Sequence, residues 1–289
     1  MPSLASFSTN QFVKAIIVSK PKVGKTVGAA TFPRANFISF DEEGLTSLVN
    51  PAMEEKYGFS KKGILYEIFT DEYDAKGVVK RHAALDNACR YFDACMSTKS
   101  TKWKSLVGGA ESIVSQDMFD TWVIDSGTTL VRSASNKAII LAGTNAVPGL
   151  ASNTWNSAKS SGIVHLKLQD MGAERSMTEQ FIRMVRETSK HVLVLCHERE
   201  IWEGEGNNQQ LVAITPLFTG QSVEKVPADF NEVWWVEAKP NGPKIERVLQ
   251  TQPKSKRVAG TRLGVPDGTL YEWEAIASKL PSGKAQVPA

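Results

Sequence analysis

Ser19-Lys-Pro-Lys-Val-Gly-Lys-Thr26 is the stretch that decides the fold of this 289-residue chain. It follows the phosphate-loop pattern of a glycine, four residues and Gly-Lys-Ser/Thr, except that Ser19 stands in the first position. Backbone N–H groups of such a loop point at a β-phosphate, and Gly24 lets the backbone approach closely. Lys25 neutralises β- and γ-phosphate oxygens, and the Thr26 hydroxyl binds magnesium. The stretch predicts a site for ATP and Mg²⁺.

The residues on both sides of this loop agree with a strand–loop–helix unit. Val13-Lys-Ala-Ile-Ile-Val-Ser19 is a β-rich apolar run that predicts a buried strand. Val27-Gly-Ala-Ala-Thr31 predicts the helix that follows, and Pro33 is expected to end it. The alternative is a Gly-Lys-Thr turn that matches by chance. The expected nucleotide-binding residues are Ser19, Lys20, Pro21, Lys22, Val23, Gly24, Lys25, Thr26 and Val27.

Strands and helices alternate along the rest of the chain. Further strands are predicted at Ala35–Phe40, Thr121–Asp125 and His191–Cys196, with a late pair at Glu232–Glu237 and Lys244–Gln250. Helices are predicted over Leu85–Met96, Leu130–Leu141 and Glu174–Lys190. This alternation predicts an α/β fold with a mostly parallel sheet, helices on both of its faces and an antiparallel edge hairpin.

The organisation predicted along the chain is one large domain with short ends. Residues 1–12 are expected to form an N-terminal arm, residues 13–280 the domain, and residues 281–289 a disordered tail. Within the domain, residues 50–118 are expected to be an insertion or helical region around the Leu85–Met96 helix. A loop or an insertion is expected at Lys99–Lys104, and loops are expected at residues 143–162 and at Glu203–Gln210.

A carboxylate ends the strand at Thr121–Asp125. In a sheet that also holds the phosphate loop, Asp125 is expected to bind magnesium through water, next to Thr26. The alternative is that Asp125 only caps a helix beginning near Ser126. Thr26 and Asp125 are therefore the expected metal-binding residues.

Polar side chains also follow two other predicted strands. The acidic stretch Asp41-Glu-Glu-Gly44 follows the second strand, and one of its carboxylates is expected to orient and deprotonate the water that attacks the γ-phosphate. A solvated acidic turn is the alternative. His197 follows the fourth strand, where it can touch the γ-phosphate and begin a mobile loop. A purely structural histidine is the alternative there.

The composition is that of an ordinary globular protein, with 42% hydrophobic and 22% charged residues. A net charge of +3 is too small to indicate nucleic-acid binding, but basic residues gather between Lys239 and Arg262. They either bind phosphate or form a solvated face. Three cysteines without metal-ligand spacing, no long apolar stretch and no signal sequence predict a reducing cytoplasm and no membrane association.

With these signals in order, the chain resembles the RecA-like ATPases. More narrowly, it resembles the phage-encoded AAA-type ATPases related to the Sak single-strand annealing recombinases. The resembling stretches are Ala15–Thr26, Phe37–Gly44, Trp122–Ser126, Gln169–Gly172, Val192–Glu198, Ile214–Gly220 and Leu249–Thr251 through to Thr261–Arg262. They leave out most of residues 50–118. The phosphate loop is specific for nucleotide binding, and the later motifs are less specific.

The resemblance implies a RecA-like core that hydrolyses ATP with Mg²⁺ and acts on single-stranded DNA as a ring or filament of identical subunits. It implies Glu43, or Glu42, as the catalytic glutamate before Gly44, and His197 as the γ-phosphate sensor. It also implies that the loops after Leu141 and after Glu198 face DNA. A phage or host single-strand binding protein is an expected partner, and the host cytoplasm is the expected location.

Candidates for contacts with DNA and with a neighbouring subunit follow from side-chain chemistry. Trp155 and Trp202 lie in the two candidate loops and can stack on bases, although tryptophan is more often a core residue. Arg262 is expected to reach the γ-phosphate held by a neighbouring subunit, with a solvated basic loop as the alternative. Three other basic residues are alternatives to Arg262 in this role and are also candidates for contacts with DNA phosphates: Lys254, Lys256 and Arg257.

Three functions fit these residues. The first is an ATPase that acts on single-stranded DNA in recombination or annealing. The second is a nucleotide-gated protein that binds or anneals single strands with little turnover. The third is an ATPase motor or loader for a protein or helicase partner. DNA-stimulated phosphate release separates the first from the second, and strand unwinding or stimulation only by a protein indicates the third.

Overall fold

The computed structural model describes residues 12–75, 79–143, 171–205, 208–219, 221–242 and 244–280. Nearly all of the predicted N-terminal arm and the whole predicted tail lie outside these residues. The same holds for most of the loop expected over residues 143–162.

A nine-stranded sheet organises the described residues. Its strands are β1 (Lys14–Ser19), β2 (Ala35–Ser39), β3 (Leu65–Ile68), β8 (Thr121–Asp125), β9 (His191–Glu203), β10 (Gln210–Pro216), β11 (Glu232–Asn241), β12 (Lys244–Gln250) and β13 (Gly260–Thr261). Two separate hairpins are formed by β4 (Glu72–Tyr73) with β5 (Val79–Arg81), and by β6 (Thr101–Lys104) with β7 (Glu111–Val114).

The strand order is β12-β11-β1-β9-β8-β2-β3. The six strands from β11 to β3 run parallel, and β12 is antiparallel to β11. Strands β10 and β13 add antiparallel to β9 and β11. The predicted α/β architecture is therefore confirmed: a mostly parallel sheet with an antiparallel edge hairpin. The carboxyl ends of the parallel strands meet at one edge, where polar side chains gather.

Eight α-helices lie in the described part of the chain. They are α1 (Lys25–Ala29), α2 (Thr46–Val49), α3 (Pro51–Tyr57), α4 (Ala84–Met96), α5 (Gly127–Gly143), α6 (Met171–Arg186), α7 (Ser222–Ala228) and α8 (Trp273–Ala277). Helix α6 ends before the predicted Lys190, because the Thr188 hydroxyl bonds to the Val185 carbonyl and the chain turns toward β9. Across the described ranges, no helix combines the length and apolar character needed to span a membrane.

The core has two layers, one on each face of the sheet. Ile16 and Trp235 belong to a cluster with α4, α5 and α6, whereas the adjacent Ile17 and Trp234 belong to a cluster with α1 and α8. Successive side chains of a strand point to opposite faces. Both faces of the parallel strands are apolar for this reason, and helices cover both, as the sequence predicts.

Residues 50–118 contribute more to the sheet than the sequence indicated. Strand β3 pairs in parallel with β2 and forms an edge of the central sheet. Of the loop or insertion expected at Lys99–Lys104, the loop is wrong, because β6 lies there and pairs with β7 in a hairpin outside the central sheet. The Trp103 indole donates a 2.7 Å hydrogen bond to the buried carboxylate of Glu67 on β3. This contact fixes the β6–β7 hairpin to the sheet edge.

Strand β9 is longer than predicted. It continues beyond Cys196 to Glu203, which pairs with Gln210 of β10, so the two ends of the loop expected at Glu203–Gln210 belong to a β9–β10 hairpin. The first six residues of β9 are buried and the rest are half-buried or exposed. The apolar run in the sequence therefore ends where the strand leaves the core, although the strand itself continues.

His191, the first residue of β9, is buried and neutral. Its Nδ1 accepts a 3.0 Å hydrogen bond from the Val13 N–H, and three aromatic rings surround it. Burial, followed by the charge of Lys14, lowers the pKa of His191 from 6.5 to about 4. Between these two pH values the unfolded chain binds the proton more readily than the folded chain, so acid favours unfolding.

We expect the free energy of unfolding to fall as the pH is lowered from 6.5 to 4. His191 should contribute up to about 3 kcal/mol to this loss, at about 1.4 kcal/mol per pKa unit. The amide oxygen of His191→Asn can take the place of Nδ1 and accept the Val13 N–H without titrating, so the variant should lose that part of the pH dependence. Urea unfolding across this pH range measures both proteins, and equal slopes would contradict the assignment.

Candidate nucleotide-binding site

The carboxyl edge of the sheet brings together the polar groups that the sequence predicted. Ser19 at the end of β1 pairs with His197 on β9, and Asp125 ends the next strand, β8. Asp125 in turn pairs with Ser39 at the end of β2, just before the acidic stretch Asp41–Gly44. The phosphate loop, His197, Asp125 and the acidic stretch therefore follow one another along a single edge.

The phosphate loop joins β1 to α1 through a turn that requires glycine at one position. Gly24 has φ +104°, a conformation that L side chains rarely adopt. Ser19, where the pattern has glycine, is a buried strand residue, and its hydroxyl accepts a 3.0 Å hydrogen bond from Lys25 Nζ. Serine is thus compatible with the first position and adds an acceptor for the lysine.

The ammonium of Lys25 is buried among acceptors. Besides the Ser19 hydroxyl, it contacts the carbonyl oxygens of Ser19 at 3.2 Å and Lys20 at 3.3 Å, and Nδ1 of His197 at 3.4 Å. Burial lowers the pKa of Lys25, and nearby negative groups, among them Asp125, oppose this shift. An ammonium held at the start of a helix in this way can exchange carbonyl contacts for phosphate oxygens.

Thr26 and Asp125 form the polar contact that is best suited to a metal. Oγ1 of Thr26 donates a 2.8 Å hydrogen bond to Oδ2 of Asp125, and burial raises the pKa of Asp125 to about 6. A hydroxyl and a carboxylate supply two oxygen ligands, and Mg²⁺ takes its others from water and phosphates. Within the described ranges, no group of three His, Cys, Asp or Glu side chains could hold a metal. A magnesium ion here would depend on phosphate oxygens.

The helix after Asp125 is capped by other residues. The Thr129 N–H donates a 3.2 Å hydrogen bond to Ser126 Oγ, and the Ser126 N–H donates one of 3.1 Å to Thr129 Oγ1. The peptide bond between Asp125 and Ser126 is cis. Because Ser126 and Thr129 satisfy the first turn of α5, the carboxylate of Asp125 is left to face Thr26, and the capping alternative is not supported.

His197 connects the phosphate loop to the next helix. Its ring contacts Lys25, and its backbone N–H donates a 3.1 Å hydrogen bond to Oγ1 of Thr128 on α5. Burial, followed by the Lys25 charge, lowers the pKa of His197. The neutral ring can then accept a hydrogen bond from the lysine. The residue lies where β9 leaves the core and the β9–β10 hairpin begins.

The acidic stretch presents three exposed carboxylates with different surroundings. Asp41 is the one whose charge reaches the site, since it adds to the raised pKa of the buried Asp125 and opposes the lowered pKa of His197. Glu42 lines a separate cavity of about 340 Å³. The Glu43 N–H donates a 3.1 Å hydrogen bond to Asp41, and its carboxylate bonds to no described residue.

Arg247 of β12 covers the phosphate loop, a role that the sequence analysis missed. Its Nε donates a 2.6 Å hydrogen bond to the Val23 carbonyl, and its guanidinium lies 4.1 Å from the ring centroid of Tyr57. A Cβ on Gly24 would lie only 2.0 Å from this Nε. Beside these residues is a cavity of about 550 Å³ that Tyr57, Arg247 and Tyr271 help to line. Only long-range pairing puts Arg247 here, so no local pattern could have found it.

Tyr271 holds α1 from the other side and was also missed. Its hydroxyl donates a 3.2 Å hydrogen bond to the Lys25 carbonyl, and its N–H donates one of 2.8 Å to the Arg247 carbonyl. A Cβ on Gly28 would lie 2.2 Å from the Tyr271 ring. The tyrosine is buried, so the contact fixes the position of α1 under the phosphate loop.

Two further predicted residues lie away from the phosphate loop. Trp202 is 52% exposed on the β9–β10 hairpin, so it is not a core residue. Arg262 follows β13, which pairs with the start of β11, and it therefore lies toward the amino ends of the parallel strands. The phosphate loop of the same chain lies at the other end of these strands, after the carboxyl end of β1. Trp155 and the loop after Leu141 fall outside the described residues.

The basic segment is partly tied into the protein. Arg257, expected to contact DNA, forms ion pairs with Glu198 at 3.7 Å and with Glu237. The exposed Lys256 donates a hydrogen bond to a carbonyl of β10, and Lys254 is also exposed. Arg257 therefore serves to hold β9 against β11, which leaves the two lysines as the accessible cations among these three residues.

Comparisons with known proteins give distant structural likenesses only. No family model matches the chain, and no curated protein matches its sequence. A KaiC-like protein from the hyperthermophilic archaeon Pyrococcus horikoshii OT3 is 11% identical with a TM-score of 0.37, over 82% of this chain and 76% of that one. The RadB recombinase is 12% identical with a TM-score of 0.38, over 90% and 86%. Likenesses of this size assign no activity and no partner.

Gly28→Ala tests the packing of Tyr271 on α1. Replacing a helical glycine by alanine usually stabilises a protein by about 1 kcal/mol. Here we expect a loss of about 1–3 kcal/mol, the usual cost of overpacking, because the methyl group would meet the tyrosine ring. Chemical denaturation of Gly28→Ala, Tyr271→Ala and the double variant measures the coupling. The double variant should lose less than the sum of the single losses, and simple additivity would contradict the contact.

Proposed function

We propose that this protein binds and hydrolyses ATP with magnesium and acts on single-stranded DNA in recombination or annealing. The observation that supports the first part best is the contact of Thr26 with Asp125 beside the Lys25 ammonium. One place then offers a buried cation for phosphate oxygens, two oxygen ligands for a metal and a backbone loop that opens a helix. These are the groups that phosphoryl transfer from a nucleoside triphosphate requires.

Each residue of the site has a distinct role in this proposal. Lys25 neutralises the β- and γ-phosphate oxygens, and Thr26 and Asp125 would hold the magnesium. The metal, when bound, offsets the negative charge on the transferred phosphoryl group. His197, beside Lys25, is placed to sense the γ-phosphate with its ring and to pass a displacement to the β9–β10 hairpin.

A carboxylate of the acidic stretch is proposed to orient the attacking water and take its proton. Glu43 is our first choice, because it precedes Gly44 and its carboxylate is not used by another described residue. Glu42, the sequence alternative, lines the separate cavity, which argues against it. Asp41 is the rival, since its charge reaches Asp125 and His197.

The cavity beside α1 is proposed to receive the nucleoside. Its volume of about 550 Å³ lies in the usual range for ligand pockets. The Tyr57 ring and the Arg247 guanidinium offer flat surfaces for a purine, and Arg247 also contacts the phosphate loop. Base and phosphates of one nucleotide can therefore be held by adjoining parts of the protein.

The action on single-stranded DNA rests on the β9–β10 hairpin. It begins at His197 and carries the exposed Trp202, and an exposed aromatic side chain can stack on an unpaired base. Arg262 lies at the edge opposite its own phosphate loop, so we propose that it acts on the nucleotide of an identical neighbour in a ring or filament. A single-strand binding protein is a proposed partner.

A second candidate function is a nucleotide-gated DNA-binding protein with little turnover. One observation favours it: the three carboxylates of the acidic stretch are exposed, and no hydrogen bond to a described residue fixes Glu42 or Glu43 toward the phosphate loop. A general base that is not held in place would orient water poorly. Phosphate release with and without single-stranded DNA decides between the two functions.

Lys25→Ala should abolish ATP binding or hydrolysis while the fold survives, because the phosphate oxygens lose their buried cation. Lys62→Ala, which removes an exposed lysine away from the loop, is the matched control and should behave as the wild type. Fluorescent-nucleotide binding and phosphate release are measured on both, with circular dichroism as the test of folding. Normal ATP turnover by a folded Lys25→Ala protein would contradict the assignment of the nucleotide site to the phosphate loop.

Three charge-neutral variants locate the general base. Glu43→Gln should bind ATP as the wild type does and lose hydrolysis by a factor of about 10²–10⁴, the usual contribution of acid–base catalysis. Glu42→Gln should have a much smaller effect. Loss of hydrolysis in Asp41→Asn but not in Glu43→Gln would move the base to Asp41. Full activity in all three would show that the acidic stretch is not catalytic.

A further inference from the structure

A further cavity, with an apolar floor and two arginines among its lining residues, lies between α5 and the β9–β10 hairpin. Its volume is about 420 Å³, and two arginines line it, Arg132 from α5 and Arg199 from β9. Three residues with hydroxyl side chains also line it: Thr128, Ser135 and Thr219. No acidic residue is among the described residues that line the cavity.

Neither arginine is used to hold the fold together. Both are exposed, and neither guanidinium makes a hydrogen bond or an ion pair with another described residue. Arg34, Arg186 and Arg257, by contrast, each form an ion pair with a carboxylate. Two guanidinium groups without acidic partners, on one hydroxyl-lined cavity, are available to an anion from outside the chain.

Two carboxylates bond to residues that line the cavity. Glu174 is buried, and its two oxygens lie 2.8 and 2.7 Å from the Thr219 hydroxyl, which donates to them. Asp71 is buried and accepts a 2.8 Å hydrogen bond from Asn136. The Thr219 hydroxyl is therefore committed to Glu174. The groups left for a ligand are the two guanidiniums and the hydroxyls of the other two side chains.

We infer that this cavity binds backbone phosphates of single-stranded DNA, with Arg132 and Arg199 each contacting a phosphate. Guanidinium groups match phosphate oxygens in charge and geometry. Single strands bind where cations follow the backbone, and here two guanidinium groups line one cavity. The inference rests on the proposed function, and it adds a surface other than the basic segment Lys254–Arg257.

The cavity is linked to the nucleotide site through Thr128. This residue lines the cavity, and its Oγ1 accepts the hydrogen bond from the His197 N–H. Arg199 is two residues beyond His197 on the same strand. A phosphate drawn to the cavity therefore acts on the strand that carries His197 beside Lys25, so DNA bound here should change the rate of ATP hydrolysis.

The test measures binding of a fluorescein-labelled oligothymidylate by anisotropy, with saturating ATP and Mg²⁺, over a series of salt concentrations. Arg132→Ala and Arg199→Ala should each weaken binding by a factor of about 3–10. Each should also reduce the slope of log affinity against log salt by about 0.7, the value for one phosphate contact with a single strand. Arg132→Lys and Arg199→Lys should retain the slope, because they keep the charge.

Arg90→Ala is the matched control, since Arg90 is an exposed arginine of α4 that does not line the cavity. It should bind the oligonucleotide as the wild type does. Unstimulated ATP hydrolysis should be unchanged in Arg132→Ala and Arg199→Ala, which shows that the nucleotide site is intact. The double variant should lose the stimulation of hydrolysis by the oligonucleotide.

The outcomes separate this inference from the proposed function. If the wild type binds the oligonucleotide and the arginine variants keep its affinity and salt slope, the cavity assignment is overturned and the proposed function stands. If the wild type hydrolyses ATP but binds no oligonucleotide at any salt concentration, the proposed action on DNA fails, and this inference fails with it. Reduced affinity and slope in both alanine variants, with a normal Arg90→Ala protein, support it.

Discussion

A buried ammonium group needs oxygen or nitrogen acceptors around it, because taking a charge out of water without partners costs several kcal/mol. Lys25 meets this need with two backbone carbonyls, the Ser19 hydroxyl and the His197 ring. Those acceptors come from two neighbouring strands and the loop between β1 and α1. The arrangement therefore requires β9 to lie beside β1 in this register. The strand order of the sheet and the set of acceptors around Lys25 therefore depend on each other.

The phosphate loop is also held from the far end of the chain. Arg247 bonds to the Val23 carbonyl across 224 residues of sequence, and Tyr271 bonds to the Lys25 carbonyl across 246. Both contacts occupy space that only glycine leaves open, at Gly24 and Gly28. Close packing of this kind lets the loop keep the positive φ of Gly24. The late antiparallel hairpin thus supports the nucleotide site as well as completing the sheet.

The elements that could be predicted from the sequence are those that leave a pattern in consecutive residues. Apolar runs followed by polar residues gave β1, β2, β8 and the buried half of β9, and each ends in a predicted site residue or stretch. The exposed half of β9 has no apolar run, because few of its side chains enter the core. The short β3 lies in an apolar stretch that Glu67 interrupts, and only its long-range pairing with β2 places it in the sheet. Arg247 and Tyr271 reach the loop only through long-range pairing. The roles of Trp202, Arg262 and the acidic stretch remain predictions, since they depend on ligands and neighbouring subunits.

The central claim is that Thr26 and Asp125 hold the magnesium of a nucleotide bound at Lys25. Equilibrium titration of ATP with and without Mg²⁺, on the wild type, Thr26→Val and Asp125→Asn, tests it most directly. We expect Mg²⁺ to tighten ATP binding by the wild type by about tenfold or more, which is at least about 1.4 kcal/mol. The two variants should lose this gain while remaining folded. A folded wild type that binds no ATP at millimolar concentration, or a magnesium gain that persists in both variants, would contradict the account.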